Sequence, residues 1–330
     1  MIPVERLPLA EVGSKLVQRG HDLLICSSSF ERRCRSIPDN LDRSAVRRAL
    51  IVTNVEPKEF VKENDDYLKE LFGGEGKLVE VSRTDPLRTA DSFKESLHKT
   101  MQENNPKSLL IDITTFTHET LLIVLGILRA DCRGKRLTVA YANAQAYDAT
   151  DSVEEKWLSK GVAKVRSVLG FPGGLSPSQL NHLIVVVGYE HERAGRLIEL
   201  LEPSSIALGF GRSGSATTDK NRDANEHYHR LVARMASSYG RVISFEIPCN
   251  DPSGTCDALG KQIEDARGQN VILAPMSNKL STVGCALAAF EHPEVQLCYA
   301  QPLSYNYANY SVPGNTCYVL DLSSILVPEG

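Results

Sequence analysis

Short apolar runs alternate along the chain with longer stretches in which apolar side chains recur every third or fourth position. The short runs read as strands buried on both faces, and the longer pattern as helices that cover them. After a first helix, strands are predicted at 22–29 (its end running into a polar loop), 49–53, 77–82, 109–113 and 137–142, with helices at 85–103 and 117–130. Asp85-Pro86 is a sound opening for the first of these two helices, since proline at its start lacks only an N–H that would have no intrahelical acceptor. A charged amphipathic segment, 151–168, predicts a connecting helix, and the glycine- and proline-rich loop 170–174 marks a boundary.

The pattern then restarts. Strands are predicted at 182–187, 205–210, 242–247, 271–274 and 295–299, helices at 190–201, 256–266 and 280–290, and an added edge strand at 317–322. Strands and helices alternating at these lengths specify an α/β protein with mostly parallel, helix-covered sheets. Leu23, Arg33, Thr120, Tyr141 and Tyr147 find partners at nearly constant spacing in Leu183, Arg193, Thr282, Tyr299 and Tyr305. Matching order, element type and residue identities predict two tandem units related by internal duplication. The expected layout is a first unit over 1–150, a linker helix and loop over 151–181, and a second unit over 182–330, with two half-sites facing one cleft.

Composition narrows the function. With 330 residues, 42% hydrophobic and 24% charged, the chain suits two soluble globular domains. A net charge of −4 exerts no global pull on DNA or on an anionic membrane, so neither is an expected partner. No apolar run reaches the length of a membrane span, and the N-terminus lacks the pattern of a signal peptide. The eight cysteines are scattered, without CxxC or Cys/His clusters, which predicts reduced core thiols in a cytoplasm, no disulfides and no metal site. No sequence motif calls for a cofactor.

Candidate chemistry lies in loops that follow predicted strands. The first such loop of each unit carries an aromatic residue, carboxylate and arginine: Ser29, Phe30, Glu31 and Arg33 in one, Tyr189, Glu190 and Arg193 in the other. The arginines suit bidentate contact with phosphate while Phe30 or Tyr189 stacks on a base; equally, Glu and Arg suit a local ion pair that caps the next helix. Thr114, Thr115, Thr117, His118 and Glu119 follow the strand at 109–113, and Ser277, Asn278 and Lys279 follow the strand at 271–274, with Lys279 taken as the counterpart of Thr117. Hydroxyls, a lysine and a helix N-terminus favour an anion such as phosphate, and the hydroxyls and Glu119 also suit helix capping. His118 with Glu119, or Glu31 and Glu190, are the candidate acid–base groups. Arg212 lies in a glycine-rich stretch that reads as a surface loop within reach of a ligand.

Ala274-Pro-Met-Ser-Asn-Lys279, with its partner Asp112-Ile-Thr-Thr-Phe-Thr117, resembles the ligand loop of CARF domains. Two such units in one chain also resemble the build of SAVED domains. This resemblance implies a tandem Rossmann-like sensor of a nucleotide or cyclic oligonucleotide in prokaryotic antiviral defence or stress, working with a separately encoded effector. The usual glycine pair before the threonine or lysine is absent from both loops. Two other readings remain open on the residues alone: a Rossmann-like nucleotide or NAD hydrolase, and a protein-binding scaffold.

Overall fold

Two strands organise the molecule, β2 (His21–Ser27) and β8 (Asn181–Val186), and both are buried along most of their length. Their apolar runs, Leu23–Cys26 and Leu183–Val186, carry too little polar surface to face water on either side, so each sits at the centre of a parallel sheet. The computed structural model describes residues 2–42, 46–55, 57–148, 157–211 and 219–326. The chain divides into two compact units, one of Ile2–Gln145 with Ser311–Gly330, the other of Ala146–Tyr310.

The first unit begins with β1 (Val4–Pro8) and α1 (Val12–Arg19), then runs through β2, β3 (Val46–Asn54), α2 (Lys58–Phe72), β4 (Gly76–Val81), α3 (Pro86–Asn104), β5 (Ser108–Asp112), α4 (His118–Asp131) and β6 (Arg136–Tyr147). In the second unit β7 (Ser159–Ser167) and β8 precede α5 (His191–Leu201), β9 (Ser205–Gly211), α6 (Asp219–Ala236) and β10 (Arg241–Ile247). It continues with α7 (Pro252–Asp265), β11 (Asn270–Pro275), α8 (Lys279–Glu291) and β12 (Gln296–Tyr305). The chain returns to the first unit with β13 (Ser311–Asp321) and the short α9 (Ser323–Leu326).

The first sheet is seven-stranded in the order β1-β13-β6-β5-β2-β3-β4, and the second six-stranded in the order β10-β9-β8-β11-β12-β7. Five parallel strands form the heart of each, β4-β3-β2-β5-β6 and β10-β9-β8-β11-β12. Strand for strand the two series have the same order, as the expected duplication requires. Each is a Rossmann-like α/β arrangement.

The strand beside the fifth differs from expectation in both sheets. Residues 159–167, read as part of a linker helix, form β7, which pairs antiparallel with β12. Lys160, Lys164 and Arg166 on this outermost strand supply the charge by which edge strands avoid further pairing, and the same charge makes the segment look like a solvated helix. The loop 170–174 is likewise internal to the second unit, where Gly174 N–H donates to Glu294 O at 2.9 Å. The C-terminal strand is not an edge: β13 lies between β6 and β1, and β1 pairs with it antiparallel from Val4↔Leu320 to Pro8↔Thr316. Thus the strand next to the fifth in each sheet comes from sequence that follows the other unit's fifth strand.

Capping fixes where the helices begin. Asp85 Oδ1 accepts from Arg88 N–H at 3.1 Å at the start of α3, Thr117 Oγ1 from Thr120 N–H at 3.1 Å in α4, and Asn278 Oδ1 from Ser281 N–H at 2.9 Å in α8. Thr117 therefore corresponds to Asn278 and His118 to Lys279, one position away from the match read in the sequence. Helices α4 and α8 are buried on nearly every side, and their apolar character reflects that position. Among the described residues no helix is long and apolar enough to cross a membrane.

Candidate functional site

In each sheet the strand order reverses beside the central strand, between β2 and β5 and between β8 and β11. Loops leaving the carboxyl ends of such a strand pair diverge to opposite sides and leave a crevice. The loops singled out in the sequence are the ones at these two reversals: 28–31 and 113–117 in the first unit, 187–190 and 276–278 in the second.

In the first unit the two loops are tied together at their base. Thr115 Oγ1 donates to Ser27 O at 2.8 Å, and Thr114 donates to Asp112 Oδ1 through both its backbone N–H (2.9 Å) and its hydroxyl (2.5 Å). Thr114 Oγ1 also accepts from Ala142 N–H at 3.0 Å, so a single threonine links the end of β5 to the middle of β6. Asp112 is buried, and desolvation outweighs the Thr114 hydrogen bonds and the charge of Arg33, raising its pKa to about 7. The carboxyl thus titrates near neutrality.

The first unit also contains polar groups not foreseen from the sequence. Helix α2 turns Asn64 and Asp65 inward, both buried. Asn64 Nδ2 donates to Ser29 O at 2.5 Å and its Oδ1 accepts from Arg35 Nε at 2.6 Å. Asp65 Oδ2 accepts from Thr53 Oγ1 at 3.0 Å; burial raises this carboxyl's pKa, opposed by the hydroxyls of Ser28 and Thr53. The helical spacing of Val61, Leu68 and Phe72 is the signal for α2, and it places Asn64 and Asp65 on the same inward face. Ser29 itself is buried and accepts from Glu31 N–H at 3.3 Å.

The paired arginines and glutamates have a different setting from the one expected of ligand groups. Arg33 Nη2 meets Glu31 Oε2 at 2.7 Å, and the two side chains are 3% and 7% exposed. Ser311, the first residue of β13, donates to Glu31 Oε2 at 2.5 Å and accepts from Arg33 Nε at 3.0 Å, while Arg33 Nη1 reaches Ala142 O at 3.4 Å. The second unit repeats this arrangement. Arg193 pairs with Glu190, their side chains 3% and 5% exposed, Arg193 Nε donates to Ala300 O at 2.7 Å, and Ser159, the first residue of β7, donates to Glu190. In both units a buried Glu–Arg pair clasps the strand beside the fifth strand through its first serine. Glu31 and Glu190 are therefore occupied as hydrogen-bond acceptors, and Arg33 and Arg193 are held in the interior by their partners, with Arg193 Nη2 alone of its nitrogens buried without an acceptor.

Tyr189 is likewise engaged, its ring 5.3 Å from Tyr147 and 5.4 Å from Tyr228. Phe30 is half-buried, and His118 and Glu119 are buried in the first turn of α4. Ser277, Asn278 and Lys279 are half-buried where β11 gives way to α8, with Asn278 acting as cap. The facing loop touches theirs closely: a Cβ on Gly188 would lie 2.1 Å from Met276 O, so only glycine lets the two loops meet. Arg212 lies outside the described residues. Among the described residues no cluster of His, Cys, Asp or Glu is arranged to hold a metal ion, and all eight cysteines are buried free thiols.

Neither a protein-family model nor a curated protein matches the sequence. Among solved structures, 81% of the chain aligns with 63% of a type III CRISPR defence DNA nuclease activated by cyclic oligoadenylate, at a TM-score of 0.47 and 10% identity. The chain thus spans less than two thirds of that nuclease. It also aligns with a periplasmic ribose ABC transporter protein from Conexibacter woesei (82% of this chain, 69% of the other, TM-score 0.26, 10% identity). A third is UDP-GlcNAc 2-epimerase from Neisseria meningitidis bound to UDP-GlcNAc (77% of each chain, TM-score 0.24, 8% identity).

Proposed function

We propose that this protein senses a nucleotide-type ligand, a cyclic oligonucleotide in the first instance, and signals to a separately encoded effector in prokaryotic antiviral defence or stress. One observation carries the ligand class: both sheets reverse their strand order at the loops that resemble CARF ligand loops. Crevices at such reversals are where α/β sheets take nucleotides, with helix N-termini turned toward phosphate. Ser277, Asn278 and Lys279 then form the phosphate-facing loop of the second unit, and the turn at Thr117 that of the first, with the buried Thr114 and Thr115 bracing it from inside. The defence context follows from the sequence resemblance alone.

Mass spectrometry of small molecules that co-purify with the protein, followed by titration with cyclic and linear oligoadenylates, tests this reading. An oligonucleotide should be recovered, and Lys279→Ala should weaken its binding by at least about tenfold, the usual loss for a charge-assisted contact, with Lys279→Arg restoring part of it. Absence of binding by every oligonucleotide tried would reject the sensor.

A hydrolase is the second reading, favoured by the Asp112 carboxyl, which titrates near neutrality at the same edge. It predicts turnover of a bound mononucleotide or NAD that Asp112→Asn removes, followed by chromatography of the products.

A further inference from the structure

The first sheet carries a strand that the second lacks. β13 and β7 are counterparts, each clasped through its first serine, but β13 has β1 on its outer side while β7, among the described residues, ends its sheet. Counted from Ser311 and Ser159, Thr316, Cys317, Tyr318 and Val319 of β13 match Lys164, Val165, Arg166 and Ser167 of β7. β1 pairs with the first set from Pro8↔Thr316 to Glu5↔Val319. Beside β1, Cys317, Tyr318 and Val319 are buried; their counterparts Val165 and Arg166 are half-buried and Ser167 is exposed.

The backbone of β7 is set to receive a strand at the same place. Val168 N–H donates to Leu297 O on the β12 side at 2.8 Å. Antiparallel ladders alternate, so Arg166 and Lys164 also turn their backbone groups to β12, and Val165 and Ser167 turn theirs outward. These two match Cys317 and Val319, which lie opposite Leu7 and Glu5 of β1.

The side chains specify what such a strand must carry. Leu7 packs on the core of the first unit and Val165 on that of the second, so an apolar residue opposite Val165 extends that core as Leu7 does. Lys164 and Arg166 lie two apart on one face; Lys164 is exposed, Arg166 Nη1 donates to Gln301 Oε1 at 2.7 Å, and β7 contains no acidic residue. They occupy the pair positions at which opposing side chains come closest. Acidic residues are favoured opposite both, whereas a second β7 would bring like charges together.

We propose that the outer edge of β7 is a docking site for an extended acidic segment of a partner protein. The segment adds antiparallel, as β1 does on β13, with an acidic–apolar–acidic run opposite Lys164, Val165 and Arg166. Main-chain hydrogen bonds at Val165 and Ser167 supply the attachment, and the alternating side chains the selectivity. The charge that keeps β7 from pairing with itself thus selects its partner, and no ligand in the crevices is needed.

Fluorescence anisotropy of the full chain with a short labelled peptide of alternating valine and glutamate, blocked at both ends, tests the site. The peptide should bind, and its counterpart with lysine for glutamate should bind at least about tenfold more weakly. Methylating the valine amide nitrogens, which removes donors of the added strand, should weaken binding to a similar degree. Lys164→Glu, at an exposed position, should remove the preference for the glutamate peptide. Ser167→Pro should weaken its binding while the fold persists, since proline is accepted where an edge N–H faces solvent. Bound peptide should slow hydrogen exchange in β7 and leave β1 unchanged. The proposal is overturned if the glutamate peptide does not bind, if the lysine peptide binds as tightly, or if exchange in β7 is unaffected. A dimer of the chain that Ser167→Pro dissociates would also overturn it, making a second copy the occupant.

Discussion

Replacing Arg193 by alanine separates a structural clasp from a ligand contact. A phosphate-binding arginine is dispensable to the unliganded fold, so Arg193→Ala would abolish binding and leave the melting temperature nearly unchanged. The structure leads to the opposite expectation. Arg193 is buried against Glu190, holds Ala300 O at 2.7 Å, and lies with its guanidinium carbon 5.2 Å from the ring centre of Tyr299. Its removal leaves the Glu190 carboxylate buried with Ser159 as partner but without its counter-charge. Breaking a buried pair from one side costs about 3–5 kcal/mol. Against a total stability of about 5–15 kcal/mol this is a large fraction. At about 2–4 °C per kcal/mol for a unit of this size, the unfolding midpoint should fall by about 6–20 °C. Replacing both partners with apolar residues, Arg193→Met with Glu190→Leu, removes the stranded charge and should cost less than the single change. Scanning calorimetry on wild type, both single variants and the double variant completes the cycle. A midpoint for Arg193→Ala within about 2 °C of wild type, which is below about 1 kcal/mol, would refute the clasp, as would a double variant no more stable than the single.

Three further outcomes are expected. Gly188→Ala should lower stability by about 1–3 kcal/mol, read by urea denaturation, because its Cβ meets backbone at Met276 O and not a side chain able to move aside. His21 is buried, and desolvation, with Arg136 and Arg19 nearby, lowers its pKa from 6.5 to about 4. Below pH 6.5 the unfolded chain takes up a proton that the folded one refuses, so this stabilisation is lost as pH falls from 6.5 to about 4, by up to about 1.4 kcal/mol per pH unit; His21→Leu should flatten that limb of the stability profile. Asp112 has the opposite sign: its pKa is raised from 3.8 to about 7, so the folded state holds the extra proton and stability declines as pH rises through that window. Asp112→Asn, whose side-chain oxygen can still accept from Thr114, should remove this decline and be more stable than wild type at pH 8.

Much of the fold was legible in the sequence by itself, because its signals are local. The apolar runs around Leu23–Cys26 and Leu183–Val186 mark strands buried on both faces, Asp85-Pro86 and Thr117 mark helix starts, and the restart of the pattern marks two units of one design. Helix α2 is marked in the same local way, by the spacing of Val61, Leu68 and Phe72. Tertiary structure alone decided which strand completes each sheet. The pairings of β7 with β12 and of β13 with β1 depend on partners far away in sequence, and the charged residues of β7 suit an exposed helix as well as an edge strand. It also decided what the arginines do. A Glu–Arg pair beside a strand end has the same sequence whether it faces solvent, a phosphate or the interior. Ser159 and Ser311 bury it, through hydrogen bonds formed only once the strands beside β12 and β6 are in place.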